Sequence, residues 1–124
     1  MTLLEYLRAE LAPLMRRRDK VALRAVRDAI GAIENAEISY LATPAVVGGQ
    51  SEFVAKAVRF GDAERVVRQL DDPEMMTIAR DQVEFRLEEA VRLRTAGRVD
   101  QALTLKAEAL ALSDRLDAYP STGT

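Results

Sequence analysis

The chain of 124 residues has no cysteine and no histidine, carries a formal net charge of −2, and is 48% hydrophobic and 31% charged. These figures fit one globular domain with a core of its own. They exclude disulfides, thiolate or imidazole metal sites, and any nucleophile–base pairing built on Cys or His. Aromatic residues reach only 5% and tryptophan is absent, so Leu, Val, Ile and Ala must build the core, a mixture that favours helices packed on helices.

The charge is unevenly spread. Residues 1–37 hold seven basic and six acidic groups, whereas residues 71–120 hold seven basic and eleven acidic. The molecule as a whole is therefore not a general polyanion binder. The opening Met1-Thr2-Leu3-Leu4-Glu5 has no basic segment leading into an apolar run, and no stretch approaches the length of a membrane span. A cytoplasmic protein without signal peptide or membrane contact is expected.

Thr2 and Glu5 form a Thr-x-x-Glu capping box, and Leu4, Leu7, Leu11 and Leu14 recur at three- and four-residue steps. A first helix over residues 3–17 follows, with Pro13 as a point where it kinks or stops early. Asp19 is the natural cap of a second helix reaching about Ile38. Its apolar stripe is Leu23, Val26, Ile30 and Ile33, widened by Ala22, Ala25, Ala29 and Ala36, and Lys20, Arg24, Arg27, Gly31, Glu34 and Asn35 gather opposite. Gly31, in mid-helix, suggests a close approach by another helix.

Residues 42–70 break the pattern. Pro44 and the pair Gly48-Gly49 read as loop, with a short helix conceivable over Ser51–Arg59 and a stop at Gly61. So long a connection is either a functional insertion or, by the plainer reading we prefer, a surface loop. Asp71-Asp72-Pro73-Glu74 is a helix start: an acidic cap, proline in the first turn, acid near the positive end of the dipole. Met76, Ala79, Val83, Leu87 and Ala90 form the main stripe of this third helix. Gly97 stops it, and a fourth helix runs from about Val99 to Ala118, with Leu103, Leu105, Leu110, Leu112 and Leu116 spread around it. Pro120 ends it, and residues 121–124 are expected as a disordered tail. The expected fold is all-α: a single domain over residues 1–120, of four to five helices, with the third and fourth as an antiparallel hairpin.

The string from Arg16-Arg17-Arg18-Asp19-Lys20 through Leu23-Arg24 to Ala32-Ile33-Glu34-Asn35-Ala36-Glu37 resembles the GatB/YqeY family. So do the acidic cap Asp71-Asp72, the turn Ala96-Gly97-Arg98 with the Ala/Leu/Glu-rich helix after it, and the ending Tyr119-Pro120. Val58-Arg59-Phe60-Gly61 resembles, more loosely, the longer linker of actinobacterial-type members. The resemblance covers about residues 3–40 and 71–120. It implies a bacterial protein linked to glutamine-dependent tRNA amidotransferase, either as a non-catalytic accessory module or as a participant in carbon–nitrogen ligation with glutamine as amide donor. Two departures stand out. Arg86 is followed by Leu87, where family members commonly carry consecutive basic residues. Members also continue into a second helical domain, the part associated with tRNA, so the present sequence resembles the N-terminal module.

Three groups of residues are candidates for function. Arg16, Arg17, Arg18, Lys20, Arg24 and Arg27 are a basic cluster, and Lys20, Arg24 and Arg27 share one helical face able to follow phosphates. No Tyr or Phe interleaves them, and a solvated face with Arg24–Asp28 paired at i,i+4 is the preferred reading. Weak tRNA or RNA binding through this face, with Asn35 beyond it, is the sharper alternative. Glu34, Asn35 and Glu37 suggest acid–base chemistry only formally, because no nucleophile accompanies them; a structural or interface role is preferred, with Glu37 paired to an arginine. Ile78 and Phe85, with Met75 and Leu93 nearby, form a second apolar stripe on the third helix. That stripe fits a protein partner, a homodimer, or cover by the 42–70 segment through Val46, Val47, Phe53 and Val58. No catalytic residue, cofactor or metal site is expected.

Overall fold

The computed structural model describes residues 1–46 and 70–120, with side chains to Ile38 in the first stretch. Four helices lie in these residues: α1 (Leu3–Arg17), α2 (Lys20–Val46), α3 (Asp72–Thr95) and α4 (Val99–Ala118). The architecture is the all-α one expected. The expected short helix over Ser51–Arg59 and the tail 121–124 lie outside the described residues.

α1 begins where its capping box places it. The Thr2 hydroxyl accepts from the Glu5 N–H at 3.1 Å, and the Glu5 carboxylate accepts from the Thr2 N–H at 2.8 Å. Leu3, Leu4, Leu7 and Leu14 are buried along one face. The helix continues through Pro13 to Arg17. Arg18 then turns the chain with a left-handed φ of 57°, and the Asp19 N–H reaches back to the Leu14 carbonyl at 3.0 Å, a Schellman-type ending in which a glycine is the usual occupant. Asp19 caps α2 through the Ala22 N–H at 3.1 Å.

α2 runs eight residues beyond the expected end at Ile38, to Val46. Pro44, expected in a loop, instead lies in the last turn, where it forfeits one backbone bond of a 27-residue helix and stops nothing upstream. Ala22, Ala25, Val26, Ala29, Ile30 and Ile33 are buried as the stripe predicts. Gly31 is a correction: a Cβ built there meets nothing within 4 Å, so among the described residues no helix approaches it.

α3 opens on a second capping box, with Asp71 accepting from the Glu74 N–H at 2.9 Å and Glu74 from the Asp71 N–H at 3.0 Å. Its buried stripe is Met75, Ala79, Val83, Arg86 and Ala90. Met75 and Arg86 thus take the inward positions expected of Met76 and Leu87, each of which sits one residue round the helix. Gly97, at φ 84°, closes α3 in a second Schellman-type turn, in which the Arg98 N–H bonds the Leu93 carbonyl at 2.8 Å. A three-residue link forces α4 back along α3, and these two make the most extensive helix pair among the described residues. α4 buries Ala102, Glu108, Ala109, Leu112 and Leu116; Leu103 and Leu110, counted among its apolar residues, are more than half exposed.

The first and last of the described residues meet. Tyr119 is buried with its ring 5.1 Å from that of Tyr6. Its hydroxyl donates to the Asp72 carboxylate and lies 3.0 Å from the Met1 carbonyl. The other oxygen of Asp72 accepts from the Leu3 N–H at 2.9 Å. Burial first, then the bond to Asp72 and its negative charge, push the Tyr119 hydroxyl up to about 12 from the usual 10.0.

Candidate functional site

The strongest polar feature of the interior stands where an apolar stripe is interrupted. Arg86 on α3 is 5% exposed and Glu108 on α4 is 4% exposed. The Arg86 Nε donates to Glu108 Oε1 at 3.0 Å. Its Nη2 donates to Asp28 on α2, and its Nη1 donates to Gln82 Oε1 at 3.0 Å. One guanidinium therefore ties three helices together with its donors engaged on several sides, the condition under which a buried ion pair is tolerable. Both residues were missed as candidates. The signal was present in the spacing: Arg86 sits three residues after Val83 and four before Ala90, and Glu108 three after Leu105 and four before Leu112.

Above this pair an open groove of about 460 Å³ runs between α2 and the hairpin. Arg24, Phe85, Leu93, Gln101, Thr104 and Leu105 line it together with the charged floor. Phe85 is 57% exposed at its edge. Ile78 is only half-buried yet packs against the core, and Met75 is fully buried. The stripe proposed from sequence is therefore divided, with Phe85 and Leu93 on the groove and Ile78 with Met75 inside. The floor of this groove is electrically self-satisfied, since Arg86 already meets Glu108 and Asp28.

The basic cluster is surface. Arg16, Arg17, Arg18, Lys20, Arg24 and Arg27 are all exposed. The expected Arg24–Asp28 pair is replaced by Asp28–Arg86, and Arg27 Nη2 donates instead to the Met15 sulfur at 3.6 Å. Because Arg24 shares the groove with Leu93 and Gln101, the cluster lies at the end of the bundle where α3 turns into α4. Of the cluster, Arg24 alone lines the groove, whose lining also includes Phe85.

The carboxylates of α2 have structural partners. Glu34 pairs with Arg8 of α1 at 2.5 Å on the surface. Glu37 accepts the Leu70 N–H at 3.2 Å and so anchors the approach to α3; Asn35 is exposed. On the far side, Arg80 joins α3 to α4 through Asp117 at 2.6 Å and Ser113 at 3.2 Å. Among the described residues no three Asp or Glu side chains gather as a metal-holding group, and no helix is long and apolar enough to cross a membrane.

Beyond these contacts the outer half of the hairpin leaves apolar side chains uncovered. Val91 is 66% exposed, Leu103 59% and Val99 51%. No family model, curated protein or solved structure matches the chain.

Proposed function

We propose that this chain is a non-catalytic interaction module: a four-helix scaffold whose α3–α4 hairpin presents a binding surface to a protein partner. The observation that carries the reading is the uncovered apolar surface of the hairpin, Val91, Val99 and Leu103, on a helix pair whose inner faces are already packed. Isolated exposed apolar residues are ordinary; several brought together on one element mark contact surfaces. The resemblance to GatB/YqeY proteins adds the context, an accessory role connected with glutamine-dependent tRNA amidotransferase. Participation in carbon–nitrogen ligation with glutamine as donor follows from the same resemblance, with the chemistry supplied by the partner.

The test is capture from a cell lysate on immobilised protein, with Leu103→Asp as the comparison. A partner identified by mass spectrometry is expected on the parent chain and lost on the variant, while circular dichroism shows unchanged helix content. Equal recovery on both would end the reading.

A second reading rests on a different observation, the shared groove of Arg24 and Phe85 at the basic end. A cationic face beside an exposed ring suits RNA, phosphates on the arginines and a base on the ring. It predicts retardation of tRNA at low salt that falls steeply as salt rises and weakens in Arg24→Glu. Absence of retardation at low salt would remove it.

A further inference from the structure

A second groove, of about 230 Å³, lies on the outer half of the hairpin, away from the buried ion pair. Leu87, Val91 and Arg94 of α3 recur at four- and three-residue steps along one wall. Val99, Leu103 and Lys106 of α4 do the same along the other. The two walls run antiparallel about the turn at Gly97, so Arg94 stands near the tip and Lys106 about level with residue 88. Along the axis the two cations are then about 9 Å apart at 1.5 Å per residue. Between them the walls are apolar, and among the described residues no carboxylate lines the groove. Among the described residues neither cation makes an ion pair, unlike Arg8, Arg80, Arg86, Arg92 and Arg115.

The geometry points to an acidic amphipathic helix as the occupant of this groove. Two carboxylates seven residues apart on such a helix stand about 10.5 Å apart along its axis, close to the axial separation of Arg94 and Lys106. Apolar side chains at the intervening third and fourth positions fall over Val91 and Leu103, the usual anchoring pattern of a helix in a groove. Charge complementarity selects this occupant over the others. A second copy related by a two-fold axis sets Arg94 and Lys106 against the same two cations. RNA finds two cations but no aromatic wall on which to stack a base. The groove over Arg86 is a poorer host for an acidic helix, because Asp28 and Glu108 line it. This assignment rests on the interaction-module reading and gives its partner a chemistry.

The experiment uses the full chain and a fluorescently labelled helical peptide with Glu at positions i and i+7 and Leu at i+3 and i+4. Its counterpart carries Lys in place of both Glu residues. The acidic peptide is expected to bind with an affinity that falls as salt is added, and the Lys peptide at least tenfold more weakly. On the double variant Arg94→Glu/Lys106→Glu the order should reverse, a result that simple loss of folding cannot produce. Leu103→Asp should abolish binding of both peptides. Equal binding of the two peptides, unchanged affinity in the double variant, or displacement of the peptide by self-association or by an RNA oligonucleotide would overturn the assignment. If a lysate partner is lost on Leu103→Asp but the acidic peptide neither binds nor displaces it, the occupant's chemistry is wrong and the module reading stands. If Leu103→Asp alters neither, both fall.

Discussion

Arg86 has been desolvated nearly completely, and its charge is held by Glu108, Asp28 and Gln82 on three separate helices. The Coulombic gain of such a pair is offset by the loss of hydration, so its net stabilisation is small, but breaking it strands a charge. Arg86→Ala leaves Glu108 buried without its partner and should cost about 3–5 kcal/mol. Arg86→Met combined with Glu108→Leu removes both charges and leaves Asp28, whose side chain is half exposed, to water. The double variant should recover most of the loss, and urea denaturation of the single and double variants measures both quantities. A double variant as unstable as Arg86→Ala would show that the pair is needed for packing geometry rather than for mutual neutralisation.

Within the elements, α2 holds a weak position that nothing among the described residues exploits. Gly31 sits mid-helix with open space where a Cβ would stand, so Gly31→Ala should stabilise the protein by about 0.5–1 kcal/mol through helix propensity alone. A rise in thermal midpoint checks this; a fall would mean that the site is sterically closed in solution. Reading Gly31 as a helix crossing failed because a glycine's local sequence is the same whether a neighbour approaches or not. Element starts fared better, since their chemistry is local: Thr2 with Glu5 and Asp71 with Glu74 each close a capping box within four residues, and Gly97 marks the hairpin turn. Rotational phase was harder. At both ends of the α3 stripe two neighbouring residues satisfy the same three- and four-residue spacing, and the apolar choice at the second, Leu87, displaced the correct Arg86. Which of the two faces inward is set by Glu108 on another helix, 22 residues on, and the candidate groove is assembled from such long-range pairings.

At the scale of the whole molecule, the two ends of the described chain close on one another through Tyr119, which joins α1, the start of α3 and the end of α4 at a single hydroxyl. This closure makes stability depend on alkaline pH in a defined sense. A tyrosine carries charge only after losing its proton, and both burial and the Asp72 carboxylate oppose that loss in the folded state, raising the value from 10.0 to about 12. The unfolded chain therefore ionises first. The contribution is fully present below pH 10, shrinks as pH rises above 10, and is gone once pH passes about 12. Tyr6 shifts in the same direction, chiefly by desolvation and then by the charge of Glu10, so the parent protein alone does not isolate Tyr119. Tyr119→Phe does, because it keeps the ring against Tyr6 and deletes the proton. The stability difference between parent and Tyr119→Phe should be constant from neutral pH to 10 and diminish toward 12, read from urea midpoints at successive pH values. A difference that stays flat across that interval would mean that the hydroxyl is solvated in the folded protein and that the ends are held by ring packing alone.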